Sequence, residues 1–247
     1  MPKYDLVFSP PVMNAAGSLG FSPKSHHHLM QGGLGAFVTN PISLGRRTPA
    51  NQRVCLEFNG GFLFHSGHPN PGLSAVLRRY AASWQGARMP VIAHILGNSA
   101  HEVQEIVRRL ERRVGVSAIE LGLASDCTPN TALELVQAAQ GELPIILRLP
   151  LEVAIMLGEA LQEAPIYAFS LGAPRGTLNQ AKGGLVHGRL YGPGIFPLAL
   201  GVTERLAKGI VPVIGAGGIY HPEQIQTMLG AGAIAVQLDT VLWRLGW

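Results

Sequence analysis

Eight short, continuous apolar runs with helix-like segments between them constrain this chain more than any other feature. They fall at residues 12–15, 36–39, 91–95, 118–121, 145–149, 166–170, 211–214 and 233–237. An alternating strand keeps one wet face. A continuous apolar run keeps none, so each run reads as a parallel strand covered on both sides. Parallel neighbours need a crossover of a dozen or more residues, and the intervening segments supply it. Eight such units are the count of a (β/α)8 TIM barrel, and 247 residues suit one such domain. With 47% hydrophobic and 14% charged residues, the chain can build a single large core. A short hairpin at residues 6–8 is expected to plug the barrel bottom.

Helix punctuation supports this reading. Ser99 and Glu102 form a capping box, with a helix expected to run to Gly115. Thr131 and Glu134 form a second, after Pro129, with Gly141 as its stop. His221-Pro222-Glu223 opens another helix that Gly230 closes. Residues 45–72 form a long insertion after the second strand, expected to be a lid over the active site. Only residues 241–247 follow the eighth strand, where a full outer helix needs about 10–15. The C-terminal helix is therefore expected to be short, and its exposed seam to be covered by another copy or a partner subunit.

Several function classes are disfavoured. No apolar run reaches the roughly 18 residues of a spanning helix, and the start lacks a signal-peptide core. Two cysteines, Cys55 and Cys127, give no disulfide framework, so a cytoplasmic setting is expected. The net charge is +4, but the arginines at 108–113 are interrupted by Glu111 and lack interleaved aromatics. They read as a solvated helix face rather than a nucleic-acid surface. His26, His27 and His28 would point about 100° apart on a helix and cannot converge on a metal. His65 and His68 have no obvious acidic or thiol partner, so no metal site is expected.

Chemistry in such a barrel sits at the carboxyl ends of the strands. Gly217-Gly218 after the seventh strand and Asp239-Thr240 after the eighth stand where backbone N–H groups can hold a phosphate. Asp239 opposes that use. A carboxylate about 5 Å from a phosphate charge costs about 3 kcal/mol at an effective dielectric near 20.

Read in order, these strand ends resemble the dihydroorotate dehydrogenase family, FMN-dependent flavoproteins on the same barrel. The resemblance rests on Met-Asn-Ala-Ala-Gly at 13–17, Asn70-Pro71-Gly72, Gly-Pro within 188–197, Ile-Gly-Ala-Gly-Gly-Ile at 214–219, and the closing stretch 232–240. It implies an FMN-dependent oxidoreductase that oxidises dihydroorotate or a related small cyclic substrate by hydride transfer to the flavin. It implies that Ala15, Gly17, Asn40, Arg148, Tyr191, Gly192, Gly217, Gly218, Asp239 and Thr240 surround the cofactor. Asn14, Asn70, Asn130 and Gly172 are then substrate-binding. The catalytic base is Ser125 by counting from Glu120, or Cys127 by the Pro-Asn that follows it. The departures fall on the chemistry. Asn40 and Arg148 stand where the family has Lys, Gly122 and Gly172 where it presents Asn, and Asp239 where it has Gly. The alternatives are a degenerate, non-catalytic barrel acting as a binding or partner subunit, and a non-redox barrel enzyme using the same phosphate loops. For Arg148, an ion pair with Glu120 is the competing role.

Overall fold

A computed structural model describes residues 6–23, 33–113, 115–180 and 183–244. Eight strands form one parallel sheet: β1 (Val12–Asn14), β2 (Phe37–Val38), β5 (Val91–Ile95), β6 (Ala118–Gly122), β7 (Ile145–Pro150), β8 (Ala168–Gly172), β11 (Val213–Ala216) and β12 (Ala235–Leu238). Their order is β1-β12-β11-β8-β7-β6-β5-β2, and a parallel bridge between Met13 and Ala36 closes β1 against β2. The chain is thus a (β/α)8 barrel. The last three barrel strands begin two residues later than the apolar runs do. Val211 and Ala233 belong to the approach, where apolarity serves packing rather than the ladder.

The seam between β1 and β2 is held by a side chain. Buried Asn14 donates through Nδ2 to the Val38 carbonyl at 2.6 Å and accepts the Val38 N–H through Oδ1 at 2.9 Å. The carboxamide thus pairs both backbone groups of Val38 as a neighbouring peptide would, and this role supplants the expected substrate contact. Asn14→Ala leaves two buried backbone groups unpaired and should cost about 3 kcal/mol. Urea unfolding of the variant measures the loss.

The barrel interior is filled by Met13 and by small and branched side chains, among them Ala36, Val38, Ile92, Ile146 and Ile214. Leu6 and Phe8 pack against the bottom of this cluster, and the Tyr167 hydroxyl donates to the Leu6 carbonyl at 2.9 Å. Residues 6–8 plug the barrel as irregular chain, not as a hairpin.

Among the described residues six α-helices cover the outside: α1 (Leu73–Gln85), α2 (Ala100–Glu111), α3 (Pro129–Ala138), α4 (Ala154–Ala160), α5 (Phe196–Leu206) and α6 (Pro222–Gly230). Ser99 caps α2 by accepting from the Glu102 N–H, while the Glu102 carboxylate reaches back to the Asn98 N–H. α2 ends four residues before Gly115. α3 begins earlier than expected. Pro129 fits its first turn, and Thr128 accepts the Thr131 N–H, so Thr131 is inside the helix rather than its cap. Gln224 of α6 accepts the N–H groups of Tyr220 and His221.

The insertion at 45–72 contains a hairpin, β3 (Val54–Phe58) and β4 (Gly61–His65). A second hairpin, β9 (Arg175–Gln180) and β10 (Gly184–Tyr191), follows the sixth barrel strand. The two join as an antiparallel sheet of order β3-β4-β10-β9. Glycine is required where this sheet meets α5: Gly192 has φ +129°, and a Cβ there would lie 2.4 Å from Gly61 Cα. After β12 the chain makes one short 3-10 turn, Thr240–Trp243, instead of an α-helix. His26, His27 and His28 lie outside the described residues.

Candidate functional site

The polar centre of the barrel is a buried carboxylate. Glu120 on β6 is fully buried and gathers donors from four other strands. His94 Nδ1 lies 2.7 Å from Oε2, Ser170 Oγ 2.7 Å and Gln237 Nε2 2.6 Å from Oε1, and Arg148 Nη1 3.3 Å from Oε2. Arg148 also donates to Gln237 Oε1 at 3.3 Å. A buried carboxylate survives only when its lone pairs are met. Burial pushes the Glu120 carboxyl upward, but the Arg148 charge and the His94 hydrogen bond outweigh it and hold the group below the usual carboxylate range. Burial holds His94 below its ordinary value despite Glu120. His94 is therefore neutral, with its proton on the nitrogen that faces the carboxylate. The positive charge that balances Glu120 comes from Arg148.

Above this network the mouth of the barrel opens into a cavity of about 530 Å³ beneath the antiparallel sheet. Of the residues expected around a cofactor, Ala15, Gly17, Asn40, Arg148, Tyr191, Gly217, Asp239 and Thr240 line it. Gly192 and Gly218 do not: they are buried in the wall, where a Cβ on Gly218 would meet the Phe196 nitrogen at 2.3 Å. Asn40 also accepts the Gly20 N–H, tying the mouth to the loop after β1. Gly172 lines a narrower inner recess beside Arg148 and His94.

The expected base residues are elsewhere. Cys127 is buried against the hydrophobic core, its thiol directed at the Thr128 carbonyl at 3.5 Å. Burial and Asp126 push that thiol up, the opposite of what a base or nucleophile needs. Ser125 is half-buried and Asn130 exposed on the first turn of α3, and none of the three borders the cavity. Asn70 is buried. Its Oδ1 accepts from Ser43 N, Ser43 Oγ and Gly72 N, and its Nδ2 donates to the His68 carbonyl. It fastens the base of the insertion, with its oxygen fully engaged by loop donors.

Asp239 decides what the cavity can hold. Its Oδ1 accepts the Thr240 N–H at 2.5 Å and the Thr240 hydroxyl at 3.3 Å. Burial raises the Asp239 carboxyl above its usual range, and the Thr240 donors, the Arg148 charge and the Gly218 N–H only partly offset that push. The carboxylate thus faces the very groups that would receive a phosphate, in the manner of a side-chain cap. The group does not fit here: FMN would have to displace an internal acceptor and then stand beside its charge.

Sequence reasoning missed the cationic lining. Arg47, Arg53, Arg175 and Arg189 border the cavity, and among the described residues none has a carboxylate within 4.0 Å. His68 lies with them and accepts from Arg189 Nε at 3.2 Å. Burial, and after it the Arg189 charge, lowers the His68 pKa to about 3. The signal for the second hairpin was present in the alternation of residues 175–180 and in the Gly183-Gly184 turn.

A histidine neutral in the folded state but protonated when unfolded makes the unfolded state bind more protons between pH 3 and 6.5. Stability therefore falls as pH drops through that window. His68→Asn suits the positive φ of 52° at this position. It should flatten the slope of unfolding free energy against pH by up to about 1.4 kcal/mol per pH unit. Urea unfolding from pH 3.5 to 7 reads the difference; an unchanged slope would show that His68 titrates normally.

Comparison with known proteins agrees with the geometry of the fold. The family model described as dihydroorotate dehydrogenase matches residues 3–149. The dihydroorotate dehydrogenase B (NAD(+)) catalytic subunit of Citrifermentans bemidjiense is 28% identical over 257 residues, covering 93% of this chain and 82% of that one. The subunit of the same name from Geobacter metallireducens is 29% identical, with 93% and 82% covered. A crystal structure of DHODH in complex with ferulenol from Eimeria tenella superposes with a TM-score of 0.78 at 17% identity, covering 96% of this chain and 78% of that one.

Proposed function

The chain belongs to the dihydroorotate dehydrogenase family, and from that membership we propose that it is a small-molecule-binding barrel of flavin-oxidoreductase descent in which Asp239 has taken the place of the cofactor phosphate. Family membership supports an oxidoreductase acting on CH–CH groups. FMN-dependent oxidation of dihydroorotate or a related small cyclic compound demands more: a phosphate anchor, an uncommitted cation for the reduced flavin, and a base facing the substrate. The Thr240 donors are engaged by Asp239, the Arg148 charge by Glu120, and neither Ser125 nor Cys127 reaches the mouth. Asp239 on the Thr240 N–H carries the reading.

One observation favours the flavin reading instead. Eight of the residues assigned to the cofactor by resemblance do line a single cavity. Absorbance separates the two. We expect purified protein to be colourless and to gain no bound chromophore near 450 nm when supplied with FMN. Yellow protein with stoichiometric FMN would restore the dehydrogenase reading.

The relatives are described as catalytic subunits, and we extend that to a second chain, another copy or a partner, against this one. Exposed apolar side chains such as Leu198 and Ile234 support such a contact. Among the described residues no helix is long and apolar enough to cross a membrane.

A further inference from the structure

The lid sheet carries an arrangement that is costly unless something else is bound. Arg175 on β9 and Arg189 on β10 are direct cross-strand partners, and both border the cavity. Like charges facing each other across a ladder are destabilising. Arg189 is half-buried. Its Nε donates to His68 and its Nη1 to the Ala173 carbonyl at 3.3 Å, which fixes the guanidinium and leaves Nη2 without a hydrogen bond among the described residues. Burial lowers the Arg189 pKa, Tyr191 and Glu152 oppose that shift, and the Arg148 and Arg175 charges add to it. Also on the cavity lining, Arg47 is held in place by backbone pairing with Asn70, and Arg53 precedes β3. Neither side chain has a hydrogen bond or ion pair among the described residues.

We propose that the mouth takes a small molecule bearing two anionic groups, carboxylate or phosphate, one held by Arg175 and Arg189 of the lid and the other by Arg47 and Arg53 of the insertion. Guanidinium forks suit both kinds of oxyanion. Asp239 turns ligand charge away from the phosphate loops, so the anions are received on the lid side. This inference rests on the reading of the mouth as a small-molecule site.

Calorimetric titration of the full chain with citrate, inorganic pyrophosphate and acetate tests it. Citrate or pyrophosphate should bind at least about tenfold more tightly than singly charged acetate, and whichever is tighter identifies carboxylate or phosphate as the preferred group. Arg189→Gln should weaken that binding by about tenfold or more. Arg175→Gln should weaken it as well while leaving the melting temperature of the free protein unchanged or raised, because it relieves the facing pair. Equal binding of all three anions, or binding indifferent to R189Q, would overturn the proposal. Failure of every anion in a protein that also refuses FMN overturns this inference and leaves the Asp239 reading standing. FMN taken up through its phosphate overturns the reading beneath it.

Discussion

Glu120→Ala should be the most damaging single substitution in the barrel, costing about 3–5 kcal/mol. The carboxylate is fully buried and satisfies His94, Arg148, Ser170 and Gln237 together. Removing it strands the Arg148 charge, whose side chain is only 12% exposed, and leaves three polar partners seeking acceptors. Glu120→Gln keeps the volume and one acceptor oxygen but still uncouples the charge, so it should fall between the wild type and E120A. Urea unfolding at pH 7 reads both, with an unchanged dependence on denaturant marking a pure stability effect. A loss below about 1 kcal/mol for E120A would mean that water reaches Arg148 and that the network is not the keystone of the barrel top. The pH dependence has a definite sign. A carboxyl depressed in the folded state contributes stability that is complete above its ordinary value near 4.5 and is lost as pH falls below it.

Architecture was legible in the chain because continuous apolar runs admit few arrangements. Eight of them joined by crossovers that carry helices lead to a closed parallel sheet. What escaped was long-range. The β9–β10 hairpin has one solvated face and an alternating pattern, a weaker signal than a buried strand, and it gains meaning only through pairing with β4. The Arg148–Glu120 pair was one of two roles open in the sequence; the choice needed His94, Ser170 and Gln237 to arrive from other strands. Asn14 and Asn70 carry motif positions, yet their carboxamides satisfy backbone and loop groups near them. Cys127 has the Pro-Asn context of a base, but its loop turns the thiol into the hydrophobic layer. Spacing along the chain does not encode direction. Besides Arg148, the cavity arginines Arg47, Arg53, Arg175 and Arg189 lie on two separate insertions, and nothing local in the sequence predicts that they share a wall.

Asp239 carries the second large effect. Its carboxylate occupies the Thr240 N–H and hydroxyl, so a phosphate gains no donors there and meets a like charge. At about 5 Å and an effective dielectric near 20 that repulsion is about 3 kcal/mol, or roughly a hundredfold in affinity. Asp239→Gly removes the charge and frees the Thr240 N–H, while the Thr240 hydroxyl keeps its Tyr220 partner. The turn that holds them remains, since Gly217 and Gly218 keep the positive φ values of 111° and 69° that shape it.

The decisive comparison is the affinity of wild-type protein and D239G for FMN and for riboflavin, which differ by the phosphate alone. The wild type should bind FMN no better than riboflavin, and D239G should prefer FMN by about ten- to a hundredfold. A wild type that already favours FMN strongly, with D239G adding nothing, would contradict the claim that the chain's own carboxylate stands in the cofactor's place.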